Sequence, residues 1–157
     1  MKDKYKGFYM GIARDTAQLS TARKKRVGAV VVKDDRIISV GYNGTPSGWD
    51  NNCEEWKPYE GVTFHVAGED LDVYGDWHTK PEVLHAEANA ITKLARSTES
   101  GENSSMFVTH VPCIECAKLI YQSGVKEVYY DEEYVASKGS GKQFLIECGI
   151  KLEKLDE

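Results

Sequence analysis

No stretch of this sequence stays apolar for the ~20 residues that a membrane-spanning helix needs, so no membrane association is expected. The opening segment "MKDKYKGFYMGIARDTAQLS" lacks an apolar core followed by a small-residue cleavage site, so no secretion signal is expected and the cytoplasm is the expected compartment. A basic stripe is also missing. Acidic side chains outnumber basic ones, 25 to 20, for a formal charge of −5, which weighs against binding long nucleic acid. Internal repeats and low-complexity segments are absent. Cysteine is scarce, with only Cys53, Cys113, Cys116 and Cys148. A chain of 157 residues can bury a core without disulfide staples, so the close Cys-x-x-Cys pair points instead to metal or redox work.

The remaining pattern reads as an α/β protein of one domain, residues 1–157. A helix is predicted from about Tyr5 to Lys25, with Phe8, Ile12, Ala13 and Leu19 near helical spacing. Two β-branched runs, "RVGAVVVK" and "RIISVGYN", flank Asp34 and Asp35, which is a hairpin signal. From about 43 to 81 the sequence shows no clear period and reads as a long loop insertion. It is either a lid or binding loop, or a surface insertion with a short strand near "GVTFHV". Then "LHAEANAITKLARS" reads as helix, "SMFVTHV" as strand and "CIECAKLIYQSG" as a helix closed by Gly124. "VKEVYYDE" follows as strand, "GKQFLIECG" as a short helix closed by Gly149, and "IKLEKL" as a last strand. Strand–helix–strand–helix–strand implies crossovers and a parallel half-sheet. With the hairpin in front, a mixed sheet of about five strands between helices is expected.

Two short pieces carry the chemistry. "LHAEANAI" supplies His85 and Glu87; "VPCIEC" supplies Cys113 and Cys116. Cys113 and Cys116 lie three apart at a helix start and therefore on one face. His85 lies near the start of its own helix, and the positive end of a helix favours the thiolate form that metals need. One imidazole and two thiols suit zinc. Structural zinc takes four protein ligands, whereas catalytic zinc takes three and a water. Glu87 is then the base beside that water. Residues two apart in mid-helix point to nearly opposite sides, so His85 and Glu87 share a site only if the helix begins close to His85.

H-x-E followed by P-C-x-x-C is the zinc deaminase signature. Together with "VGAVVVKDDRIISVGYNGTPSG" and "MFVTHVPCIECAKLIYQSGVKEVYY", it makes the chain resemble the deoxycytidylate (dCMP) deaminases, phage-encoded members included, from Val27 to about Tyr134. The resemblance implies the three-layer α/β/α cytidine deaminase-like fold. It implies hydrolytic deamination of dCMP to dUMP and ammonia for the thymidylate pathway: zinc-activated water adds to C4 of cytosine, and Glu87 moves the protons. It further implies substrate contacts from Arg26 and Tyr134 to the phosphate, from Asn43 to the sugar and from the Ala86 backbone to the ring.

Family members of this kind are commonly hexamers activated by dCTP with magnesium and inhibited by dTTP. Their effector site maps here to Asn43 and Gly44, where Gly44 and Gly48 would let backbone N–H groups approach phosphates. Some phage relatives carry a second zinc, for which Cys53, His65 and His78 are the candidate ligands here, although the first-helix region contributes no cysteine. His110 either reaches the site or fills core. Arg26, Asn43 and Tyr134 also have plain readings as solvated charge, turn residue and surface packing. The competing functions are deamination of another base, in nucleoside or tRNA, and a zinc-stabilised scaffold or inactive dCTP binder.

Overall fold

The computed structural model describes residues 2–61, 64–66, 69–71, 74–134 and 139–155. Its elements run α1 (Asp3–Ala17), β1 (Gly28–Lys33), β2 (Arg36–Tyr42), β3 (Glu54–Pro58), β4 (Phe64–Val66), β5 (Glu69–Leu71), β6 (Gly75–Thr79), α2 (Ala86–Leu94), β7 (Ser105–His110), α3 (Ile114–Gln122), β8 (Glu127–Glu132), α4 (Lys142–Glu147) and β9 (Lys151–Lys154).

Five strands form the central sheet in the order β2-β1-β7-β8-β9. β1 pairs antiparallel with β2 and with β7, whereas β7, β8 and β9 run parallel. The sheet is therefore mixed, as expected. Asp34 and Asp35 make the β1–β2 turn, with φ of 49° and 57°. A two-residue hairpin turn of this hand needs φ > 0 at both positions, and Asp tolerates that better than most residues.

Alternation along the strands divides the core into two layers. Ala29, Val31, Met106, Val108, Val128 and Tyr130 face one way, against Ala86 and Ala90 of α2, Ala117 and Ile120 of α3 and Leu145 of α4. Val30, Val32, Phe107 and Tyr129 face the other way, against Tyr9, Met10 and Ala13 of α1. Phe107 and Tyr129 stack with centroids 4.7 Å apart. With both faces covered, β1 and β7 read as continuous apolar runs.

Two expectations need correction. α1 stops at Ala17, not near Lys25. The chain leaves the helix because side chains claim its backbone. Ser20 Oγ accepts from the Ala22 N–H and donates to the Asn43 carbonyl, while the Glu54 carboxylate accepts from Arg23 N–H and the Asn43 side chain accepts from Val27 N–H. Leu19, which the helical spacing placed on the apolar face, is 62% exposed, and Phe8 is 60% exposed. The long insertion is the second case: the short strand expected near "GVTFHV" is present as β4, but three further strands were not foreseen. It holds four strands in two antiparallel pairs, β3 with β6 and β4 with β5. Trp56 stands opposite Trp77, with ring centroids 5.6 Å apart. β3 and β6 are exposed along much of their length, so neither carries the alternating apolar pattern that betrays a strand.

Candidate active site

α2 and α3 both begin at residues that would ordinarily cap them. His85 is the N-cap of α2 and Cys113 the N-cap of α3, each extended (ψ 154° and 168°), and neither side chain caps its own helix. An N-cap side chain normally accepts from the first turn. Here a carbonyl takes over at α3, where Ile114 N–H donates to Gly139 O at 3.1 Å. The two cap side chains converge instead. Nδ1 of His85 lies 3.6 Å from Sγ of Cys113 and 3.4 Å from Sγ of Cys116.

The helix start at His85 meets the geometric demand that its spacing to Glu87 imposed. Glu87 stands in the first turn of α2 and is 4% exposed. Packing holds this turn against β2. Gly41 has no Cβ, and one there would collide with the Ala86 carbonyl and the Ala90 amide. Ser39 Oγ donates to Ala90 O at 2.7 Å, and Asn89 Nδ2 donates to Tyr42 O at 3.0 Å.

The donor distances fit zinc. Two ligand atoms about 2.0 and 2.3 Å from a tetrahedral ion lie about 3.6 Å apart. His85, Cys113 and Cys116 form the one His/Cys/Asp/Glu group found among the described residues whose ligand atoms lie within 4.8 Å of one another. Three protein ligands are the catalytic pattern, and four are the structural one. The thiols share their protons unequally. The hydrogen bond with Cys116 holds Cys113 far below the ordinary thiol range, at about 3, while the same bond and burial push Cys116 up. Burial raises the carboxyl of Glu87 above the usual carboxylate value.

All of these groups but Cys116 border a cavity of about 240 Å³. His85, Ala86, Glu87 and Cys113 line it together with Val27, Asn43, Val111 and Tyr134. The cavity lies at the carboxyl ends of the parallel strands, beyond β7, where helix starts converge.

The chain matches the family model "Cytidine and deoxycytidylate deaminase zinc-binding region" over residues 3–132. It is 37% identical to the deoxycytidylate deaminase of Enterobacteria phage T4, across 90% of this chain and 84% of that protein. It is also 37% identical to the human deoxycytidylate deaminase, across 94% of this chain and 77% of that one. The fold matches the crystal structure of dCMP deaminase from cyanophage S-TIM5 in complex with dCMP and dUMP, at 40% identity, 99% of both chains and a TM-score of 0.79. The chain belongs to the cytidine and deoxycytidylate deaminase family.

Within this deaminase the expected substrate residues separate. Asn43, Ala86 and Tyr134 all line the cavity. Arg26 is outside the lining, with Nε 3.5 Å from Ala22 O. Its neighbours Lys24 and Lys25 line the cavity instead, and Lys25 Nζ sits 4.6 Å from the Tyr134 ring centre. Asn43 is engaged on both sides of its amide. Oδ1 accepts from Val27 N–H and Nδ2 donates to Lys25 O, each at 2.8 Å. His110, left open between site and core by the sequence, lines the cavity; Nδ1 is 3.1 Å from Thr109 Oγ1 and Nε2 is 3.3 Å from Glu132. Burial holds its pKa below the ordinary histidine value.

The sequence also overlooked Glu54, a buried carboxylate on the cavity wall. No signal could have found it, because it acts from a strand that the sequence did not reveal.

The expected effector pair divides as well. Gly44 borders a second cavity of about 460 Å³ with Tyr42, Ser47, Gly48 and Lys93, but Asn43 faces the first cavity. The Gly44 N–H donates to Leu84 O at 3.1 Å, so it is committed to the chain itself. Among the described residues, Cys53 and His78 join no group of three metal-ligating side chains. Cys53 Sγ is 3.4 Å from Thr21 Oγ1, His78 is exposed on β6, and the side chain of His65 on β4 lies outside the described residues.

Proposed function

We propose that this protein hydrolyses dCMP to dUMP and ammonia. The observation that carries the reading is the buried Glu87 beside the His85–Cys113–Cys116 group, on a cavity that Lys24 and Lys25 also line. Zinc bound by those three side chains would acidify a water toward neutral pH. Glu87 then acts on its protons. It takes one proton as the water oxygen bonds to C4 of cytosine and delivers it to N3; it then takes the second proton from that oxygen and delivers it to the amino group, so that the C4–N bond breaks and ammonia leaves. A carboxyl raised by burial can hold a proton between these steps. Ala86 supplies backbone beside the ring. Asn43 contacts the sugar with the hydrogen-bonding capacity left after its two backbone bonds. Lys25 and Tyr134 bracket the phosphate, with Arg26 further out.

Regulation by dCTP with magnesium, opposed by dTTP, is part of the proposal. Its support is the second cavity beside Gly44 and Gly48, where Lys93 offers a cation. A homo-oligomer, expected as a hexamer in the cytoplasm, completes it. The experiment is ammonia release from dCMP, CMP, dCTP and deoxycytidine, with and without dCTP and magnesium, alongside zinc per chain and mass by light scattering. Turnover confined to dCMP with one zinc supports the chemistry, and stimulation by dCTP supports regulation. Zinc without turnover of any cytosine nucleotide would sink the reading.

A further inference from the structure

We infer that Glu54 is a positioning residue that holds the segment of residues 21–25 so that Lys25 faces the substrate's phosphate. The inference rests on the reading that the substrate is dCMP.

The segment between α1 and β1 has neither helix nor strand to satisfy its backbone, so its donors must find other partners. Glu54, the first residue of β3, provides them. Arg23 N–H donates to both carboxylate oxygens at 3.1 Å, and Lys24 N–H donates to Oε1 at 3.4 Å. The side chain is buried, with the residue 5% exposed, and its recorded hydrogen bonds are to amides. A carboxylate this deep is costly unless hydrogen-bonded, and N–H bonds to carboxylate are among the stronger ones.

The same arm grips the segment again through side chains. The Arg23 guanidinium lies 4.5 Å from the Trp77 ring centre, Lys24 Nζ is 3.2 Å from Asp76, and Thr21 Oγ1 donates to Asn51 O at 2.6 Å. From the other flank, Asn43 binds Lys25 O and Val27 N–H. Lys25 is therefore set between two anchors, one from β3 and one from the end of β2. Glu54 has an opposing effect too, because its own negative charge borders the cavity and disfavours an anion. Placement outweighs repulsion if the two amide contacts disperse that charge, and the variants separate the two effects.

The experiment measures dCMP kinetics for Glu54→Ala, Glu54→Gln, Lys25→Ala and the Glu54→Ala/Lys25→Ala double variant, with timed trypsin cleavage of each folded protein. Loss of the acceptor in Glu54→Ala should raise KM for dCMP about tenfold, the scale of a lost charged hydrogen bond. It should leave kcat within about threefold, because chemistry at C4 is not touched. Glu54→Gln keeps an acceptor and should stay near wild type in KM. The double variant should be no worse than the weaker-binding single, since both act on one contact. Cleavage after Arg23, Lys24 or Lys25 should speed up in Glu54→Ala and not in Glu54→Gln. If Glu54→Ala fails to fold, Glu54→Asp, one methylene shorter, should show the same KM rise. Additive effects in the double variant, a lower KM in Glu54→Gln, or unchanged KM and cleavage in Glu54→Ala would overturn the inference. A wild-type protein inert on dCMP would overturn the functional reading instead, and the cleavage rates would still decide whether Glu54 holds the segment.

Discussion

Replacing Glu87 with Gln should remove catalysis and leave the molecule otherwise intact. Glu87 is 4% exposed in the first turn of α2, and burial already raises its pKa. Gln has nearly the same shape without the charge, so the substitution opens no cavity and strands no buried ion. A general acid–base group contributes about 10²–10⁴-fold. Glu87 is assigned both the uptake and the delivery of protons at one carbon, in a buried position where bulk water is a poor substitute. The upper end is therefore expected, a fall in kcat of about 10⁴, or roughly 5.5 kcal/mol of barrier. Ammonia release at saturating dCMP reads the loss, metal analysis reads the zinc, and a thermal melt reads the fold. Zinc should stay at wild-type content and the melting temperature should not fall. Residual turnover above about one hundredth of wild type would refute the role of Glu87 as base. Loss of zinc would show that Glu87 is a ligand.

Other outcomes follow from the packing. Gly41→Ala should push the start of α2 away from β2, because the new Cβ meets the Ala86 carbonyl and Ala90 amide. Chemical denaturation should show a loss of about 1–3 kcal/mol, with weaker zinc retention against a chelator. Asn43→Ala leaves Val27 N–H and Lys25 O without their partners, and should cost about 1–3 kcal/mol of stability and raise KM for dCMP while zinc stays bound. Unchanged dCMP binding would remove Asn43 from the site. His110 has a folded-state pKa depressed chiefly by burial, with Glu132 and Asp131 pulling it up and Lys25 pushing it down. The unfolded chain therefore binds more protons below the ordinary histidine pKa, so this contribution to stability is present above about pH 6.5 and is lost as pH falls below it. His110→Gln should flatten that part of the melting-temperature profile relative to wild type, and parallel profiles would contradict the assignment.

The candidate ligand set and the proposed base were legible in the sequence because each sits within a few residues of a helix start. His85 and Glu87, like Cys113 and Cys116, are brought together by local geometry that a spacing can express. The central sheet was legible for a similar reason. β1, β7 and β8 are covered on both faces and carry continuous β-branched and aromatic runs. What the sequence could not show was decided by contacts between distant segments. α1 ends at Ala17 although its pattern continues, because Ser20, Asn43 and Glu54 offer the following backbone better partners than another helical turn. β3 and β6 are exposed along much of their length, so no period marks them. The choice of Lys24 and Lys25 over Arg26 for the cavity wall depends on anchors that arrive from β3 and from the end of β2. A spacing rule sees neighbours in the chain, whereas the direction of a side chain in an irregular segment is set by whichever remote group satisfies its backbone.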